Sequence, residues 1–169
     1  MSPSEEGPPA WFNGLPAAQA EAELLACCGS RAWAHRVTEG RPYAGRDDVL
    51  RASERAWGEL GPADWLEAMA AHPRIGEPRI ANEATWSAQE QSVAAAAAPA
   101  VRDSLTLANR DYEARFGHVF LICATGLTAE AILGALRSRM ENDAATELQV
   151  ASEELHKITD LRLIKLLAS

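Results

Sequence analysis

Alanine fills 34 of the 169 positions and leucine a further 18, whereas valine and isoleucine together supply only 12. Alanine and leucine favour helix, and the β-branched residues that fit a pleated sheet are the ones in short supply. That imbalance excludes an all-β fold and disfavours a doubly wound α/β sheet. With alanine set aside, 46 of 169 residues are apolar, an ordinary globular fraction. No run reaches the roughly 18 consecutive apolar residues of a membrane span, so no membrane partner is expected. The reading is an all-α, single-domain bundle of about seven or eight helices over residues 11–169, behind a disordered, Pro-rich tail at 1–10.

Local punctuation places the helices. Pro16 opens one that runs through Cys28 to a stop at Gly29, and Ser30 caps a second that ends at Gly40 and Pro42. Asp47 and Asp48 complement the start of a third, with Val49, Leu50, Ala56, Trp57 and Leu60 on one side. Pro62 starts a fourth, which stops at His72-Pro73; residues 73–84 read as a loop. Ser87 begins a helix that Pro99 breaks, and another runs from Val101 to about Phe116. The stretch 116–124 is the only strand-like run, too short and solitary for a sheet. Thr128 caps the next helix, and a break at Glu141–Asp143 precedes the last one, since Asn and Asp favour caps over helix interiors.

A net charge of −8 argues against a protein that works by neutralising nucleic-acid phosphates. A small anionic ligand would need a locally positive pocket. Cys27, Cys28 and Cys123 are an odd set with two adjacent, which suits neither a disulfide framework nor a metal site, so buried thiols in a reducing compartment are expected. The N-terminus has no basic start or apolar run of a signal peptide, and a cytoplasmic location is the expectation. No nucleotide-binding Gly loop, HExxH, Ser elbow or zinc spacing is present.

The chemistry-bearing candidates are few. Pro73 forces His72 out of the helical region and fixes it at a helix C-terminus, where the dipole favours an imidazolium and hence a proton donor. The plainer alternative is that His72 only caps exposed carbonyls. Ser87-Ala88-Gln89-Glu90 has the form of a capping box, and the same helix start could face a carboxylate or ureide. Arg137 and Arg139 are two apart on a helix and point to different faces, so one can turn its fork inward while the other is solvated. His35 and His156 read as surface residues, and His118 is ambiguous.

His72-Pro73-Arg74-Ile75-Gly76, then Ser87-x-x-Glu90-Gln91, then Phe116-Gly117-x-x-Phe120-Leu121-Ile122-Cys123, in that order and spacing, resemble the OHCU decarboxylase family. Its members convert 2-oxo-4-hydroxy-4-carboxy-5-ureidoimidazoline into S-allantoin and CO2 during urate degradation. The resemblance extends from about Trp33 to the Arg162-Leu163 end, taking in Arg139, Asn142 and Glu147. It implies an all-helical, cofactor-free and metal-free homodimer that acts on a small anionic ureidoimidazoline. It makes His72 the proton donor and gives Glu90 a catalytic part. Pro73, Ser87, Ala88, Gln89 and Gln91 become substrate-binding, as does the main chain of His118, Val119, Phe120, Leu121 and Ile122, and Arg139 would meet the substrate carboxylate. His118-Val119 depart from the family's usual Phe-Pro, and Thr125 replaces a frequent Arg. Backbone contacts survive such side-chain changes.

That chemistry suits these residues. Loss of CO2 leaves electron density on the ring, delocalised into the adjacent imine, and a proton must then arrive on one face. Orientation and a single proton source supply what spontaneous, racemic breakdown lacks. The substrate carries its own electron sink, so neither a metal nor a carbonyl-trapping Lys is required. The alternatives are an inactive helical adaptor, which would have no reason to keep this polar set together, and a lyase for a related ureide carboxylate.

Overall fold

Ser30, Pro62 and Thr128 begin helices where the sequence predicts them. Ser30 Oγ accepts the Trp33 N–H (3.2 Å) and Thr128 Oγ1 the Ala131 N–H (3.1 Å), each satisfying a donor the helix start leaves open. Pro62 occupies the first turn of its helix, where its missing N–H costs nothing. The computed structural model describes residues 9–72 and 98–168. Among these, eight helices and no strand are found: α1 (Ala10–Gly14), α2 (Ala17–Cys27), α3 (Arg31–Glu39), α4 (Arg46–Gly58), α5 (Pro62–Ala70), α6 (Pro99–Phe116), α7 (Ala129–Arg139) and α8 (Ala144–Leu167). The all-α reading holds. No helix among the described residues is long and apolar enough to cross a membrane.

Two local expectations are revised. Residue 10 belongs to α1 rather than to the tail: Phe12 is fully buried, and Arg41 secures the end of α1 by donating from Nη1 to the carbonyls of Phe12 (2.8 Å) and Leu15 (2.7 Å). Pro99 opens α6, two residues ahead of the expected start at Val101, while the helix expected from Ser87 lies outside the described residues. The expected break before the last helix is present, with Asp143 Oδ1 accepting the Thr146 N–H at 2.8 Å.

The chain groups into two compact units, one reaching to Ala71 and resuming at Ile158, the other running from His72 to Lys157. In the first, Phe12, Leu24, Trp33, Val37, Met69 and Leu163 are buried. The Trp33 indole N–H donates to Ser53 Oγ (3.0 Å), and the Tyr43 hydroxyl donates to the Val37 carbonyl (2.6 Å). Cys27 and Cys28 are buried as expected, and burial pushes the Cys27 thiol up to about 12. Near the end of α8, Leu161 faces out while Arg162 is buried and donates to the Cys27 carbonyl (3.3 Å).

In the second unit, Leu105 and Tyr112 of α6 pack with Ile132, Leu133 and Leu136 of α7 around Phe120 and Ile122. Helix α6 ends at Gly117, whose φ of 79° is a left-handed cap that a side chain would strain, and its N–H bonds to the Glu113 carbonyl (2.8 Å). Residues 118–124 then run without helix or strand. A turn closed by the Leu127 N–H on the Ala124 carbonyl (3.0 Å), with Gly126 at φ 78°, delivers the chain to α7. The strand-like run is therefore a strip stretched between two glycine turns and buried under helices.

Candidate functional site

A buried, irregular strip raises an accounting question, because each main-chain polar group removed from water needs a partner. Phe120, Leu121 and Ile122 are all buried. The Leu121 carbonyl accepts from Arg139 Nη1 at 2.6 Å, and the Arg139 guanidinium carbon stands 4.5 Å from the Phe120 ring centroid. Arg139 is 9% exposed, whereas Arg137 faces solvent, which is the divergence their spacing predicts.

Arg139 is held in turn by Glu147. Nε donates to Glu147 Oε1 at 2.8 Å; Nη2 lies 2.5 Å from the same oxygen as an ion pair, though not aligned for a hydrogen bond. Glu147 has no exposed surface, and it also accepts the Tyr112 O–H on Oε1 (2.5 Å) and the Asn142 side-chain N–H on Oε2 (3.0 Å). Such a set satisfies a buried carboxylate that would otherwise be costly. Burial, followed by the hydrogen bond to Glu147, pushes the Tyr112 phenol well above its ordinary range, so it remains a donor. Tyr112 packs edge-on against Phe120 (5.2 Å between centroids) and against His118 (5.6 Å), and tilts over Phe116 (4.8 Å).

The structure thus brings together Arg139, Phe120, Leu121 and His118, with Val119 and Ile122 on the same strip. His118 is half-buried, stacked on Phe116, and donates from Nδ1 to the Val119 carbonyl (3.1 Å). Arg139, which the resemblance sets against the substrate carboxylate, has its guanidinium engaged by Glu147 and the Leu121 carbonyl, with Nη2 sealed from solvent. His72 is half-buried and stands two residues beyond α5, as Pro73 requires. Pro73, Ser87, Ala88, Gln89, Glu90 and Gln91 lie outside the described residues.

Tyr112 was not singled out by sequence reasoning, and Asn142 and Glu147 entered only as part of a resemblance. Glu147 sits in the first turn of α8, where an acid ordinarily complements the helix dipole, so its type gives no sign of burial. A cleft of about 400 Å³ in the first unit, lined by Asn13, Glu21, His35, Thr38, Glu39 and Arg41 among others, contains none of the predicted residues. Among the described residues no group of three or more His, Cys, Asp or Glu side chains is placed to hold a metal ion.

Comparison with known proteins gives a consistent result. The family profile described as OHCU decarboxylase matches residues 13–164. The uric acid degradation bifunctional protein of Arabidopsis thaliana is 38% identical over 151 residues, 86% of this chain and 47% of that protein. The 2-oxo-4-hydroxy-4-carboxy-5-ureidoimidazoline decarboxylase of Haloferax volcanii is 26% identical, over 80% of this chain and 81% of its own. This chain therefore spans about half the length of the Arabidopsis protein but most of the archaeal one. A crystal structure of OHCU decarboxylase in the presence of (S)-allantoin superposes with a TM-score of 0.77 at 34% identity, covering 87% of this chain and 98% of the other.

Proposed function

This chain belongs to the OHCU decarboxylase family, and from that premise we propose that it converts 2-oxo-4-hydroxy-4-carboxy-5-ureidoimidazoline into S-allantoin and CO2 in urate degradation. The match across residues 13–164 carries the reading. The ring bond to the carboxylate breaks, CO2 leaves, and the electron pair forms a double bond to the ureido-bearing carbon while the imine nitrogen takes up a proton. The ureido-bearing carbon then takes a proton on one face, and the neighbouring hydroxyl gives up its own to become the carbonyl of allantoin. One proton is consumed overall.

His72 delivers the proton that sets the stereochemistry. Ser87, Ala88, Gln89, Glu90 and Gln91 bind the ring and ureido group together with Pro73, and Glu90 steadies the developing charge. The main chain of 118–122 forms a binding edge, which tolerates His118-Val119 because it does not depend on those side chains. Arg139 contributes through the strip it holds. The same reading makes the protein a cytoplasmic homodimer that needs no cofactor, with light scattering as the check on its mass. The deciding experiment generates the intermediate from urate in situ and follows S-allantoin by circular dichroism. Wild-type protein should accelerate its appearance, and His72→Asn should fall to the spontaneous, racemic course. No acceleration by the wild type defeats the reading.

A further inference from the structure

We propose that Arg139, Glu147 and Tyr112 are positioning residues: a closed buried unit that fixes the main chain at Leu121 and so sets the substrate-binding edge of the strip. The inference rests on the function proposed above, and it gives these side chains the task of holding the edge that meets the substrate. Three observations carry it. The strip has no ladder or helix of its own, so its buried carbonyl at Leu121 is positioned by an external donor, the Arg139 Nη1–H at 2.6 Å. The guanidinium has one edge on Glu147 and its remaining nitrogen on the strip, a division of a rigid planar fork that Lys cannot reproduce. The unit also closes on itself. Tyr112 anchors Glu147 through its hydroxyl and packs its ring on Phe120, the neighbour of the residue that Arg139 holds. Asn142 completes the carboxylate from the α7–α8 link, and Arg115 steadies that link by donating to the Asn142 carbonyl (2.9 Å).

A stabilising core network alone would predict that its loss lowers Tm and leaves the kinetics of the folded fraction unchanged. Positioning predicts a different pattern. The strip binds substrate and transition state alike, so a displaced Leu121 weakens both and raises KM while sparing kcat. His72 is untouched, so the pH profile of kcat should not move.

The test uses the full chain, with substrate generated in situ and S-allantoin followed by circular dichroism at a temperature where every variant is folded. Arg139→Lys should raise KM by about tenfold or more, because one ammonium cannot serve both the carboxylate and the carbonyl. Tyr112→Phe, which keeps the ring packing and loses only the O–H, should raise KM by roughly threefold to tenfold with kcat within about twofold. Should Arg139→Lys fail to fold, Tyr112→Phe decides alone. Leu105→Ala, in the same core but outside the hydrogen-bonded unit, is the control and should lower Tm with KM unchanged. Active wild type with an unaltered KM in Tyr112→Phe overturns the inference, as does an equal KM rise in Leu105→Ala. Inactive wild type overturns the proposed function and this inference with it.

Discussion

In the first unit the buried side-chain bonds of Trp33 to Ser53 and of Tyr43 to the Val37 carbonyl join neutral groups, while ion pairs such as Arg31–Glu67 and His35–Glu21 stand at the surface. In the second unit a full ion pair, Arg139–Glu147, is buried with almost no exposure on either side chain. Burying charge is expensive, and a well-packed apolar pair of the same volume would often do as well for stability alone. What differs is the backbone nearby. Trp33 and Ser53 tie together helices that already satisfy their own main chains, whereas Arg139 serves a strip that has no such ladder. Arg162, donating to the Cys27 carbonyl, shows that the first unit also buries a charge where a helix has just ended. Buried arginine goes where main-chain carbonyls are left over.

The largest stability effect should come from splitting the ion pair. Glu147→Ala strands a buried guanidinium and should cost about 3–5 kcal/mol in denaturant unfolding. Ser53→Ala leaves only the neutral Trp33 N–H without its partner, so about 1–3 kcal/mol is expected, with KM unchanged. Arg31→Ala breaks an exposed pair and should cost less than about 1 kcal/mol. A Glu147→Ala effect no larger than that of Ser53→Ala would erase the contrast between the units.

Much of the fold was legible because helix ends are local chemistry. Ser30, Pro62, Thr128 and Asp143 announce themselves by residue type, and each does what its type implies. Helix α1 was not legible, since five residues carry too little pattern and its buried end depends on Arg41, 29 residues from Phe12. For the site, spacing foretold that Arg137 and Arg139 diverge, but not what the inward one meets. Its partners come from α6, the strip and α8, and no local pattern records a contact between elements. The Leu161–Arg162 inversion, apolar out and charged in, likewise defeats any rule based on residue type.

The smallest expected effect is electrostatic and lies at the surface of the first unit. The hydrogen bond to Glu21, followed by the charge of Glu39, raises the pKa of His35 above its ordinary 6.5. A raised folded value means that the protonated form is favoured by folding. The stabilisation is fully present below the unfolded pKa and is lost as pH rises through the folded one. Wild type should therefore melt slightly above His35→Gln at pH 5.5, and the two should coincide at pH 8.5. A difference that persists at pH 8.5 would show packing, rather than charge, at His35.

The central claim is that the buried pair holds the strip, and hydrogen exchange read by mass spectrometry on wild type and Glu147→Gln tests it most directly. Amides of residues 118–124 should exchange faster in Glu147→Gln, while those of α2–α4 keep their wild-type rates. Unchanged exchange in the strip, or acceleration spread evenly over the whole chain, would contradict the account.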